Sequence, residues 1–135
     1  MILTVDTFAW MEITRGSSRG RDARANIESA SRCFTPSIVL AEVASACLRD
    51  GLSDDLMRKE LAAIHEASDV VPLDPEIAIG AAHGREELRR MARTRQAGLP
   101  GLGDGIVLAT ARRKRSQILT GDPHFLGVPE VKWIG

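Results

Sequence analysis

Asp104-Gly105-Ile106-Val107-Leu108-Ala109-Thr110-Ala111-Arg112-Arg113-Lys114-Arg115 is followed, one residue on, by Gln117-Ile118-Leu119-Thr120 and then Gly121-Asp122-Pro123. This stretch decides the fold. Its first part reads as a helix over 104–115 and its second as a short buried strand over 117–120. About 12 helical residues descend ~18 Å at about 1.5 Å each. A strand of about five residues climbs back ~17 Å at about 3.3 Å each. Asp104 and Asp122, 18 positions apart, therefore return to the same edge of a sheet. Each also has a simpler reading: Asp104 as a helix N-cap between Gly103 and Gly105, and Asp122 as a turn residue ahead of Pro123.

The same alternation runs outward to both ends of the chain. Ile2-Leu3-Thr4-Val5 is an aliphatic run ending in Asp6, a buried strand whose last residue reaches that edge or caps the next helix. Helices are expected over 9–15, stopped by Gly16-Ser17-Ser18, and over 21–30. A short strand over 33–35 leads to Pro36, which suits the first turn of a helix running to about Asp50 with Gly51 as its stop. Ser53 caps a helix over 54–66, a strand follows over 70–73, and Pro75 opens a long helix to about Arg95. A Gly/Pro-rich loop over 96–103 precedes Asp104, and 131–134 adds an edge strand. Strands separated by helices require crossover connections. The expected fold is therefore one α/β domain over 1–135, a three-layer α/β/α sandwich with a mostly parallel sheet of four or five strands. Ligands of such sheets bind at the carboxyl ends of the strands.

Glu42 is the only charged side chain in Ile38-Val39-Leu40-Ala41-Glu42-Val43-Ala44-Ser45-Ala46-Cys47-Leu48. A helix apolar almost all round is buried. A buried carboxylate requires a cation, a donor or a proton, and an ion pair with an arginine is one way to meet that need. The side chain leans toward its helix N-terminus, hence toward the aspartate edge. Asp6, Glu42, Asp104 and Asp122 on one edge would repel one another unless a divalent cation neutralised them. Oxygen ligands with no His or Cys among them favour Mg²⁺ or Mn²⁺ over zinc. Carboxylate-held hard cations serve phosphoryl and phosphodiester chemistry.

Composition bounds the rest. The chain has 135 residues, 44% hydrophobic and 27% charged, with zero formal net charge. A chain of that length buries roughly 65–70% of its unfolded surface and needs no disulfide or zinc to fold. Zero net charge excludes a purely electrostatic nucleic-acid binder while permitting local patches. Lys59, Lys114 and Lys132 are the only lysines among 18 basic residues, so the cations are overwhelmingly guanidinium groups. No apolar run approaches the ~20 residues of a membrane span. Asp6 and Glu12 interrupt the N-terminal apolar stretch, so no secretory leader is expected. Cys33 and Cys47 sit among aliphatic residues and read as reduced core thiols of a cytoplasmic protein.

Val5-Asp6-Thr7, Glu42 within an apolar helix, Gly103-Asp104 opening a helix, and Leu119-Thr120-Gly121-Asp122-Pro123-His124-Phe125 together resemble the PIN-domain family, and more narrowly the VapC-type toxins of prokaryotic toxin–antitoxin pairs. The resemblance runs through nearly the whole chain in order and spacing. It implies a Rossmann-like fold and a Mg²⁺- or Mn²⁺-dependent endoribonuclease acting on RNA. It also implies that Asp6 and Asp104 are the first metal ligands, that Glu42 and Asp122 complete the site directly or through water, and that Thr120 supports the cluster. A homodimer and a small antitoxin partner are implied as well. The chain departs from the pattern at Phe8, where a small polar residue is frequent.

Other residues have competing readings. Arg85, Arg89, Arg90, Arg93 and Arg95 crowd the end of the long helix, where they suit either RNA phosphates or the helix C-terminus. Arg112-Arg113-Lys114-Arg115 lies at the edge opposite the acids and suits the macrodipole. His124 reads as a partly exposed loop residue. Phe8, Trp10 and Met11 suit either core packing or a dimer or antitoxin surface. Two other functions compete with a nuclease. A phosphatase of the haloacid dehalogenase type requires Asp-x-Asp after the first strand, and Asp6-Thr7-Phe8 lacks the second acid. A catalytically silent binding or dimerisation module would show loss of acids, and all four are present.

Overall fold

The computed structural model describes residues 1–92 and 98–135. Among the described residues twelve elements alternate as the sequence leads one to expect: β1 (Ile2–Val5), α1 (Thr7–Arg15), α2 (Ser18–Ser29), β2 (Arg32–Pro36), α3 (Ser37–Arg49), α4 (Asp54–Ala67), β3 (Asp69–Val71), α5 (Pro75–Ala92), α6 (Leu102–Arg113), β4 (Gln117–Thr120), a 3₁₀ turn (Pro123–Phe125) and β5 (Val131–Trp133). The expected end of the long helix, at Arg95, and the start of the loop after it lie outside the described residues.

The five strands form one sheet in the order β3-β2-β1-β4-β5, and every neighbouring pair is parallel. β1 is central: Leu3 is in register with Cys33 on one side and Gln117 on the other. Leu3, Thr4 and Val5 are all fully buried. Successive strand residues point to opposite faces, so both faces of the central strand are covered by helices. Ile118 and Leu119 repeat this on β4. This is the α/β fold expected, with the five-strand sheet flanked by six helices.

The sheet ends where the carboxyl edge must be built. Asp6 caps α1, accepting from the Ala9 N–H at 2.9 Å. Ser17 and Ser53 cap α2 and α4, and Asp74 caps α5 through the Ile77 N–H. α6 begins at Leu102, two residues earlier than expected, with Gly101 at its N-cap. Asp104 is therefore in its first turn and not its cap. There its Oδ2 reaches back to the Gly101 N–H at 3.0 Å. α5 and α6 pack closely because Gly105 has no Cβ: one would run into the Ala81 carbonyl.

Two expectations about the core change. Trp10 and Met11 are buried, so they are core residues and offer no docking surface. Trp10 Nε1 donates to Thr35 Oγ1 at 3.2 Å, and Thr35 shares a 2.7 Å hydrogen bond with Ser68. In contrast, α3 is not apolar all round in its environment. Ala41, Ser45 and Leu48 form an exposed stripe, because α3 packs on α1, α4 and α6 from one side only. Cys33 and Cys47 are buried free thiols, as expected. Trp133, on the edge strand, is 42% exposed. No helix of the described residues is long and apolar enough to cross a membrane.

Candidate functional site

Asp6, Glu42, Asp104 and Asp122 line one cavity of about 310 Å³ at the carboxyl edge of the sheet, together with Thr7, Phe8 and the ends of α1 and α3. Four separate pieces of chain deliver them: the end of β1, the second turn of α3, the first turn of α6, and the turn after β4. The helix-down, strand-up arithmetic for residues 104–122 thus holds.

Each acid is held by a different donor. Asp6 is buried and accepts from the Ala9 N–H and, through Oδ2, from the Thr120 hydroxyl. The same Thr120 oxygen accepts from the Asp122 N–H at 3.0 Å, so one hydroxyl links two of the acids. Glu42 accepts from the Thr7 hydroxyl at 2.7 Å, and no arginine of the described residues pairs with it. Asp122 caps the 3₁₀ turn by accepting from the His124 N–H at 2.9 Å. That turn folds His124 back into the cluster: its Nδ1 lies 3.0 Å from Asp104 Oδ2 and 3.6 Å from Asp122 Oδ1.

The electrostatics follow from burial and crowding. Burial pushes the Asp6 carboxyl up to about 7; its two hydrogen bonds oppose this, and the charges of Asp122 and Asp104 add to it. Glu42 is raised from the ordinary glutamate value, first by burial and then by Asp104 and Asp122, against the Thr7 hydrogen bond. Asp104 is raised by burial and by Asp122, against the Gly101 N–H and His124. Three carboxyls raised together mark a site that disfavours its own full ionisation. A cation would relieve it.

The donor set fits a divalent cation. Ligand atoms of Asp104, Asp122 and His124 lie within 4.8 Å of one another. Asp6 and Glu42 share the cavity but stand outside that triplet. The sequence places no His among the acids, but His124 is in reach of them, because Pro123 starts a turn that carries it over Asp104. Gly103 also belongs to the site, since a Cβ there would come within 2.7 Å of Glu42 Oε2.

The cations of the cavity are not those expected. Arg15 and Arg49, the last residues of α1 and α3, line it. Of the arginines near the end of α5, Arg89 donates to the Pro100 carbonyl at 3.0 Å and Arg85 lies 3.5 Å from Glu86. Neither they nor Arg90 line the cavity, and Arg93 and Arg95 lie outside the described residues. Arg15 and Arg49 give a signal only when helical spacing is traced along the two helices that reach the edge: Phe8 to Arg15 and Glu42 to Arg49 are each seven residues, two turns. Phe8 fits because Gly121 leaves room for its ring, and the hydrogen bonding of Asp6 is complete without a polar residue at position 8.

The parallel sheet in the strand order 3-2-1-4-5 thus carries, at its carboxyl edge, carboxylates drawn from distant pieces of an α/β chain. The PIN domain family model matches residues 3–131, and the chain belongs to that family. A search of curated proteins finds no match. Among solved structures, the fold is similar to a toxin–antitoxin complex from Klebsiella pneumoniae (TM-score 0.74, 19% identity, 98% of each chain covered). It is similar to VapBC2 from Rickettsia felis bound to a promoter DNA fragment (TM-score 0.70, 15% identity, covering 98% of this chain and 97% of that one). It also resembles VapC20 of Mycobacterium tuberculosis, a sarcin–ricin-loop-cleaving toxin (TM-score 0.66, 17% identity, 96% of each chain).

Proposed function

We propose that the protein is a Mg²⁺- or Mn²⁺-dependent endoribonuclease, formed by one PIN-like domain over 1–135, and the toxin of a toxin–antitoxin pair. One observation carries the reading: four carboxylates from distant elements line a single cavity, three of them raised by burial and mutual charge, in a chain of the PIN family. The toxin assignment draws on the similarity to toxin–antitoxin structures, and RNA as substrate on the similarity to a toxin that cleaves the sarcin–ricin loop. A small antitoxin, a homodimer and a cytoplasmic location complete the proposal.

Asp6 and Asp104 are the proposed metal ligands, with Glu42 and Asp122 completing the site directly or through water. A bound divalent cation would supply charge neutralisation and Lewis acidity toward a phosphodiester. The residues of the chain set the conditions for that chemistry. Thr120 fixes Asp6 and the Asp122 backbone in one geometry. Thr7 orients Glu42, a carboxylate that can accept a proton from an attacking water. His124 Nδ1, beside Asp104 Oδ2, holds that carboxylate in place and adds a further donor to the edge.

Cleavage of a mixed pool of labelled RNAs with Mn²⁺, Mg²⁺ or EDTA tests the proposal, with Asp104→Asn run beside the parent chain and its melt checked. Metal-dependent cleavage that the variant loses supports it. No cleavage together with no metal binding would overturn it.

A further inference from the structure

The cavity continues past the acids. Along α1 it is lined by Phe8, Met11, Glu12 and Arg15, and along α3 by Glu42, Ala46 and Arg49. These positions recur every three or four residues, so each helix contributes one continuous stripe. Both helices start at the carboxyl edge, and seven residues of helix advance about 10 Å. The groove between the stripes therefore has the four acids at one end and two guanidinium groups about 10 Å away at the other, with Glu12 one turn before Arg15. Met11 and Ala46 form the apolar stretch between them.

The two arginines are held differently. Arg15 Nε lies 2.9 Å from Asp50 Oδ2, and Asp50 closes the end of α3. Arg49 is exposed, and its Nη1 donates to Ser45 Oγ at 3.1 Å, one helical turn back along α3. It makes no ion pair with a carboxylate among the described residues, although its charge helps hold the Asp50 carboxyl below the usual range. A guanidinium steadied by a neutral hydroxyl keeps most of its fork free for a second acceptor.

We infer that Arg49, with Arg15 beside it, holds a backbone phosphate of a single-stranded RNA one or two nucleotides from the bond that is cut, so that the strand lies along the α1–α3 groove. The inference rests on the nuclease reading above and names which end of the groove positions the strand. Guanidinium forks match phosphate oxygens in geometry as well as charge. Arg49 is a positioning residue here and touches no reacting atom.

Steady-state cleavage of a short labelled single-stranded RNA, chosen from those the parent chain cuts, tests this directly. Arg49→Ala is expected to raise KM roughly tenfold, a change of about 1.4 kcal/mol, with kcat unchanged and the melt preserved. The dependence of log KM on log salt should become shallower by about 0.7, the loss of one phosphate contact on a single strand. Arg49→Lys should recover part of the loss, and Asp50→Asn, which frees Arg15, should lower KM. An unchanged KM in Arg49→Ala, with the parent still cleaving, would overturn this inference and leave the nuclease reading intact. A fall in kcat alone would equally overturn the positioning role. A parent chain that cleaves no RNA would remove the nuclease reading itself.

Discussion

The two ends of the sheet handle charge in opposite ways. At the far end, Arg112 in the last turn of α6 lies 2.6 Å from Glu87 and 3.0 Å from Glu130. Each partner stabilises the other's ionised form: the guanidinium holds Glu87 below the ordinary carboxylate range. At the carboxyl end, Asp6, Glu42 and Asp104 are all pushed the other way, and none of the three is paired with an arginine or lysine among the described residues. Opposite charges on an accessible rim are a low-stakes arrangement. Like charges gathered in a cavity oppose folding, and a chain keeps them where function requires it. The contrast separates a paired network from an unpaired acidic cluster, the electrostatic pattern in which a functional site is sought.

The sharpest way to break the contrast is to neutralise one acid. Asp104→Asn is expected to weaken Mn²⁺ binding by more than the ~10–100-fold that follows loss of an outer-shell partner, as read by calorimetry, and to abolish cleavage. If binding and cleavage survive, the carboxyl edge is no more specialised than the far end.

The second test is pH. The Asp6 carboxyl stands at about 7 in the folded chain against 3.8 ordinarily. The folded state thus holds a proton that the unfolded state has lost in that window. The stability this proton contributes is full below about pH 3.8 and is lost as pH rises through about 7. The two units titrated between pH 5 and about 7 correspond to at most about 2.7 kcal/mol, or a fall in Tm of up to roughly 10 °C between pH 5 and 8. Saturating Mn²⁺ should flatten the slope, and Asp6→Asn should remove its largest part, leaving the share of Glu42 and Asp104. A metal-free melt that rises over this range would contradict the account.

A smaller effect is expected at Thr120. Thr120→Val removes the donor to Asp6 and the acceptor of the Asp122 N–H, at a cost of about 1–3 kcal/mol in denaturant unfolding, with the metal response of the melt reduced. The smallest effect belongs to the opposite end. Arg112→Ala should cost about 1 kcal/mol or less, since all three side chains are about one-third exposed, and should leave cleavage unchanged. A large loss there would show that the far-end network also supports the site.

How much of this the sequence discloses depends on the range of the interaction that fixes it. Strand and helix order follows from local pattern, so β1, β4 and the helices between them fall where the residues suggest, and the return of Asp104 and Asp122 to one edge follows from element lengths alone. The start of α6 at Leu102 is not legible, because Gly101 and Gly103 offer no capping side chain and the first turn is closed by Asp104 reaching back. His124 is legible only as a loop residue, since its place over Asp104 depends on the 3₁₀ turn. The exposed stripe of α3 is hidden for the same reason: Ala41, Ser45 and Leu48 carry no charge, and only tertiary packing shows which side faces water. Arg15 and Arg49 needed both helices to be placed before their common groove could be seen.

The chain contains no tyrosine and two tryptophans, and these occupy opposite settings. Trp10 is enclosed and hydrogen-bonded to Thr35, whereas Trp133 stands on the edge strand in register with Thr120, the residue that ties Asp6 to Asp122. The intrinsic fluorescence is therefore already sorted into two colours. Blue-shifted emission from Trp10 reports whether the core is intact. Red-shifted emission from Trp133 reports from the exposed edge strand in register with Thr120, so that the core and the sheet edge can be followed separately in one cuvette without a label.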